Sequence, residues 1–338
     1  LTLAGGRLNV EQFSRQGAQL ASRGALANLP LAPLVALLET EPPFTTDLRI
    51  DGDWNLRAGD SLDGRLRLRR QSGDVRMKDP AQSLGLTTLV LDLDAVASRV
   101  TAHIEAASRE AGQLRADGQA TLLREGAFFT LPRTAPLVWT AQLDVPDLRL
   151  VRLFLPVGIR ADARLNARLT GSGSLAAPRV DGQIDASQIR FAMPEEGVSI
   201  TDGTLKLILA DDRVRVQEGV LNGQSGRIVL SGEAQIRDPQ ASLALTFEKF
   251  AVTNRSDRRV TISGVTQLAF SQQRLRLEGE LRADRARIEI PEASRPRLSA
   301  DVVVVGQPPR EKTAAQRIPL QLDLKLNLGD DFLFKGAG

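Results

Sequence analysis

Apolar and polar residues alternate strictly from Ile318 to Leu328. Ile318, Leu320, Leu322, Leu324, Leu326 and Leu328 fall in one phase, and Pro319, Gln321, Asp323, Lys325 and Asn327 in the other. A period of two sends successive side chains to opposite faces of an extended chain. The spacing therefore predicts a β-strand with one apolar and one wet face. At about 3.3 Å per residue such a strand is roughly 35 Å long, about twice the common length. Shorter copies occur at Leu205-Lys206-Leu207-Ile208-Leu209, Arg213-Val214-Arg215-Val216, Leu243-Ala244-Leu245-Thr246-Phe247 and Leu275 to Leu281. Turn signals separate them at Asp202-Gly203, Asp211-Asp212, Asn222-Gly223, Asp238-Pro239, Gln272-Gln273 and Pro291 to Pro296. This spacing fits antiparallel hairpins. No sustained helical pattern interrupts the runs, which argues against a parallel doubly wound sheet.

Two segments depart from alternation. Leu26, Leu29, Leu34, Val35, Leu37 and Leu38 approach helical spacing, which predicts a short helix over 26–39. Leu148, Leu150, Val151, Phe154 and Leu155 predict a second over 147–155, with Asp147 as N-cap and Pro156 as stop. Each helix either plugs one end of a sheet or lies in an apolar groove and regulates it. Residues 306–317 are rich in proline and charge and read as a loop.

The 338 residues are 42% hydrophobic and 25% charged, which suits a folded chain. No run of about 20 apolar residues is present to span a bilayer as a helix. The first residues already read as strand and turn and the last stop without a cap, so the expectation is a piece of a longer chain. Net charge is only +3 and aromatics are 4%, with no tyrosine. Nucleic-acid binding wants basic clusters interleaved with stacking rings; here Arg65, Arg67 and Arg69 alternate with Leu66 and Leu68 as the wet face of a strand. No nucleic-acid partner is expected.

Candidate chemistry is sparse. Cysteine is absent and His103 is the one histidine, so thiol chemistry and the usual zinc sites are excluded. His103 shares its phase with Thr101 and Glu105 and reads as a solvated strand residue. Glu195-Glu196, Asp211-Asp212 and Asp330-Asp331 are adjacent pairs whose members point apart on a strand, so they read as turns. Gly171-Ser172-Gly173-Ser174 lacks the Lys-Ser/Thr of a phosphate loop and reads as a hairpin loop. No catalytic residue, metal or cofactor is expected. What remains is a long apolar surface made of strands, suited to something apolar.

Several local patterns resemble one family. Leu175-Ala176-Ala177-Pro178-Arg179-Val180-Asp181-Gly182-Gln183-Ile184 resembles a strand pair of TamB proteins. Ala286-Arg287-Ile288-Glu289-Ile290-Pro291, then Pro296 and Asp301-Val302-Val303-Val304-Val305, is similar to two later strands of that family. Leu322-Asp323-Leu324-Lys325-Leu326 with Gly329-Asp330-Asp331-Phe332 resembles the entry to its C-terminal region, and Asp147 to Pro156 a helical element before the strands. The similarity is best over residues 140–338. TamB is the periplasmic partner in the translocation and assembly module of Gram-negative bacteria, and resembles AsmA-like and bridge-type lipid-transfer proteins.

The resemblance implies an all-β fold with two short helices: an elongated antiparallel sheet folded lengthwise into a taco-like groove, one continuous body over 1–338. The groove would conduct phospholipid acyl chains across the periplasm. An inner-membrane anchor and a TamA-like outer-membrane barrel partner would engage segments outside this chain. The expected lining is Leu205, Leu207, Leu209, Val214, Val216, Leu243, Leu245, Phe247, Leu275, Leu277, Leu281, Ile288, Ile290, Val302, Val304, Ile318, Leu320, Leu322, Leu324, Leu326 and Leu328. A closed β-sandwich core is the plain alternative for these leucines. The alternative function is a scaffold assisting outer-membrane protein assembly by strand pairing; an exported β-solenoid passenger would want shorter, near-equal repeats and a polar surface, which the sequence does not show.

Overall fold

Period-two runs of leucine, valine, isoleucine and threonine become strands because each run can bury one face and wet the other. The computed structural model of the chain describes residues 2–3, 5–35, 42–78, 82–126, 128–148, 158–271, 273–289 and 319–336. Nearly all described elements are strands. Contacts divide the chain into two units, Leu1–Ile189 with Thr204–Arg213, and Arg190–Gly203 with Val214–Gly338.

The first unit is an antiparallel meander. Gly6–Gln16, Gln19–Pro30, Arg49–Ala58, Leu62–Ser72, Leu86–Val96, Arg99–Ser108, Gly112–Thr121, Leu137–Val145 and Arg160–Gly173 each pair with the next in sequence. Two small ribbons sit in its connections. One joins Phe44–Thr46, Val75–Met77 and Gln82–Ser83, and the other is the hairpin Leu123–Glu125 with Phe128–Thr130.

In the second unit, Arg227–Gln235, Gln240–Asn254, Arg258–Ser271 and Arg274–Glu289 pair antiparallel in order. Leu320–Asn327 and Phe332–Lys335 then run parallel to Arg274–Glu289 along one edge, Leu275 opposite Leu320 and Ala286 opposite Phe332. The all-antiparallel expectation fails there for a topological reason. About 30 residues separate Glu289 from Leu320, enough chain to return to the start of the strand, whereas a tight hairpin would force antiparallel pairing. Between the two edge segments the chain bends at Gly329, φ +64°, where a Cβ would overlap the Ala283 carbonyl.

The predicted helix over 26–39 is largely a misreading. Leu26 and Leu29 belong to the strand Gln19–Pro30, and only Ala32–Val35 makes a helical turn. The cause is a β-bulge. Pairing passes from Leu26 opposite Gly52 to Leu29 opposite Ile50. Asn28 sits at φ 56°, and its amide donates to Asp51 Oδ1 at 2.7 Å. The bulge puts residues three apart on one face, which imitates helical spacing. The predicted helix over 147–155 lies outside the described residues beyond Leu148, as does the loop 306–317. Asp202-Gly203 lies inside the strand Val198–Ala210 instead of turning the chain. Gly171 and Gly173 end the strand Arg160–Gly173, so the turn comes after them, at Ser174–Ala177.

Among the described residues no large side chain is fully buried. The best-buried apolar groups are Ala286 at 2% exposure, Phe250 and Ala283 at 3%, and Leu48 at 4%. A closed sandwich would shield the inward leucines of both layers completely.

Candidate functional site

Residues directly opposite in a ladder share a face, so the register assigns the paired residues of five strands of the second unit to one side or the other. Leu230, Leu245, Thr266, Gly279 and Leu324 form one cross-strand row. Ile228, Phe247, Gly264, Leu281 and Leu326 form the next, and Gly232, Leu243, Leu268, Leu277 and Leu322 the one on the other side. Ala234, Ala241, Phe270, Leu275 and Leu320 extend the same face. The opposite face carries Glu233 with Ser242, Gln267 with Glu278 and Asp323, and Glu280 with Lys325. One side is therefore apolar across all five strands, and the other is polar.

Two details shape the apolar side. Phe247 and Phe250 share it through another bulge, Lys249 at φ 48°, and their rings stand 6.2 Å apart at a tilt of 56°. Gly264 and Gly279 hold φ +140° and +155°, and a Cβ on either would overlap a carbonyl of the neighbouring strand. Only glycine fits there, and the close approach sets the local coiling of the sheet. Most of the face is half-buried, and it becomes exposed at its edge, where Leu320, Leu322 and Leu326 are 56%, 60% and 59% accessible.

The first unit repeats the design with different residues. One row reads Gly24, Trp54, Leu66, Leu93, Ala102, Gly118, Trp139 and Gly171. The next reads Leu26, Gly52, Leu68, Leu91, Ile104, Ala116, Ala141 and Leu169. Each tryptophan ring lies across the glycine of an adjacent strand, Trp54 over Gly24 and Trp139 over Gly171, where a Cβ would collide with it. Trp54 Nε1 donates to Ser22 Oγ at 2.9 Å, so its polar end is satisfied while the ring stays on the apolar side.

The opposite face of this unit is a charge lattice. Asp53, Arg67, Asp92, His103 and Asp117 stand in one row with alternating character. His103 Nδ1 lies 2.8 Å from Asp117 Oδ1 with its side chain 43% exposed, on the wet face as expected. Arg115 pairs with Glu105 at 3.3 Å. These contacts orient the side chains of a solvated surface. Away from both faces, Asp74 fastens the small three-stranded ribbon. Partial burial opposes its charge, but the Ser83 hydroxyl and the amides of Leu86, Val75 and Gly85 together outweigh this and hold its pKa at about 2.

The structure brings together Leu243, Leu245, Phe247, Leu275, Leu277, Leu281, Leu320, Leu322, Leu324 and Leu326 from the expected lining. Ile288 joins them opposite Phe334, and Leu328 lies just past its strand. Leu205, Leu207 and Leu209 share one phase of Val198–Ala210, and Val214 and Val216 one phase of Arg213–Gly223. Ile290, Val302, Val304 and Ile318 lie outside the described residues. Sequence reasoning missed Phe250 and Ile262, whose phase is hidden by bulges. It also missed most of the first unit's apolar face, although Leu89, Leu91 and Leu93 alternate plainly with Val90 and Asp92.

Residues 217–338 match the family described as TamB C-terminal domain. The chain is also 24% identical over 224 residues to the translocation and assembly module subunit TamB of Haemophilus influenzae, an alignment covering 62% of this chain and 17% of that protein. No solved structure matches the chain. The family match falls on the unit whose register builds the leucine- and phenylalanine-rich face, and together the two similarities support a TamB-family fragment.

Proposed function

We propose that this chain is a segment of a periplasmic bridge that moves phospholipid between the inner and outer membranes, its apolar sheet faces carrying the acyl chains. The observation behind the reading is the apolar face of the second unit, five strands wide and uncovered at Leu320–Leu326. Exposing one methylene to water costs about 0.8 kcal/mol, so a 16-carbon chain faces about 12 kcal/mol in crossing an aqueous gap. A continuous apolar surface removes most of that barrier. Uniform leucine, isoleucine and valine suit the task, because a deep local well would slow movement.

In this reading the sheet curls lengthwise into a taco-like groove, headgroups stay in solvent along its open side, and no chemistry is performed. The inner-membrane anchor and the contact with an outer-membrane barrel lie in other segments of the whole protein. Native mass spectrometry is the test. Phospholipid should leave the detergent-free protein at stoichiometric ratio, and less should leave a Leu245→Asp, Leu277→Asp variant that remains folded. Folded protein devoid of lipid under gentle purification counts against transport.

A second reading, a scaffold for outer-membrane protein assembly, is favoured by one feature. Among the described residues no strand pairs with the outer edge of Leu320–Asn327. Among those residues its outer main-chain groups are free to take an added strand.

A further inference from the structure

The wet face of the first unit holds a hollow of about 440 Å³. It lies over the strands Leu86–Val96, Arg99–Ser108, Gly112–Thr121 and Leu137–Val145, every residue of which is described. Two cross-strand rows wall it, Asp94, Thr101, Gln119 and Val138 in one, and Asp92, His103, Asp117 and Thr140 in the other. Ala102, Gly118 and Trp139 lie between the rows and belong to the apolar side, so they floor the hollow with main chain. One row further along, Arg115 and Gln142 line a second hollow of about 170 Å³. Successive rows on one face are about 6.8 Å apart, so the polar positions from Gln119 to Arg115 run about 14 Å, longer than a single sugar ring.

Charge on this stretch is balanced. Asp92 stands opposite Arg67, 4.0 Å away, and Asp94 opposite Arg65. Asp117 holds His103, and Glu105 holds Arg115. A polyanion would meet the carboxylates and a polycation the guanidinium groups, so neither gains by docking. Protein partners want aromatic and apolar anchors at the centre of an interface. The one aromatic ring of these four strands, Trp139, lies on the other face, and Val138, 58% exposed, stands among polar neighbours.

These side chains offer hydrogen bonds of both senses at close spacing. The carboxylates accept, the guanidinium groups donate, and the threonine hydroxyls and glutamine amides do both. The matching ligand donates and accepts in turn, carries no net charge, and has a small apolar surface for Val138. Sugar rings have that chemistry, with hydroxyls around the rim and C–H groups on the faces. Arg67 Nε and Asp92 Oδ1 sharpen the match. Both are shielded and neither makes a hydrogen bond, although they face each other across 4.0 Å at the border of the hollow. A hydroxyl that parts them would accept from the first and donate to the second.

We infer that the hollow binds a neutral glycan strand, laid along Gly112–Thr121 and Leu137–Val145. Its hydroxyls meet Asp92, Asp117, Gln119 and Thr140, and a C–H face meets Val138. The site is on the opposite side of the sheet from the apolar rows and stands whether or not those rows carry lipid.

Calorimetric titration of the whole chain with a tetramer of N-acetylglucosamine tests this. Saturable binding with Kd on the order of 1 mM or tighter is expected. It should not change between about 0.05 and 0.5 M salt, because a neutral ligand has no charge to screen. Gln119→Ala and Thr140→Ala remove exposed side chains, so unfolding curves should match the parent, while the pair together weakens binding at least about tenfold. Gln267→Ala, on the polar face of the second unit, should leave binding unchanged. No binding at about 10 mM sugar overturns the proposal, as does binding that survives the double substitution. A sulfated tetramer bound more tightly, with affinity that falls as salt rises, overturns it in favour of a polyanion. A photocrosslinker at Gln119 that captures protein and no glycan in cells overturns it in favour of a protein partner.

Discussion

The two units solve the same problem with different residues. Both set an apolar face against a polar one across several strands. The first builds its apolar face from alanine, glycine and leucine, with Trp54 and Trp139 laid flat over glycines. The second builds it from leucine and phenylalanine. Relief on a sheet face follows side-chain volume, so the first surface is low and broad around Ala102, Gly118, Ala116 and Ala141, and the second is thickly covered. The polar faces differ too. The first carries a charge lattice through Asp53, Arg67, Asp92 and His103, while the second includes uncharged stretches such as Ser242 and Gln267. What the units share is the partition between faces, and the residues that achieve it are interchangeable within limits set by bulges and glycines.

The largest contrast concerns glycine. Gly279→Val in the second unit forces a side chain into φ +155° and against a neighbouring carbonyl, and should cost about 3 kcal/mol by denaturant unfolding. Gly171→Val in the first unit has ordinary backbone angles and meets the Trp139 ring instead, which can move. About 2 kcal/mol is expected, with a shift in tryptophan fluorescence. Equal losses at the two sites would mean that backbone geometry does not dominate in the second unit.

The carboxylate of Asp74 distinguishes the first unit by pH. Folding lowers its pKa to about 2, so the folded chain binds fewer protons than the unfolded one at acid pH. Its contribution is complete above about pH 4 and fades as pH falls toward 2. Asp74→Asn should be less stable at neutral pH and should lose less on acidification, which unfolding curves from pH 7 to pH 2 would show. A variant as acid-sensitive as the parent would remove Asp74 from the account. The smallest effect belongs to the wet faces: Arg213→Ala or Arg215→Ala should change stability by less than about 0.5 kcal/mol.

The strands were legible because alternation survives any tertiary arrangement. Leu275 to Leu281 and Leu320 to Leu326 needed no structure to be assigned to one face each. Bulges were illegible. Leu26 and Leu29 looked helical and Phe250 looked out of phase because one strand holds an extra residue, a fact that lives in the partner strand's register. Nor does one strand's alternation reveal whether its apolar face is covered. Leu322 is as apolar as any core leucine, yet it is 60% exposed. The parallel return of Leu320–Asn327 was hidden as well, since a turn signal reports a break in the chain and not where the chain goes next.

Site-specific photocrosslinking in cells tests the central claim most directly. A benzophenone side chain at Leu245 or Leu277 sits on the apolar face, and at Gln267 or Glu278 on the polar face of the same sheet. The account predicts phospholipid adducts, read by mass spectrometry, at the first two positions and not at the second two. Equal labelling of both faces, or none at Leu245 and Leu277 in folded, working protein, would contradict it.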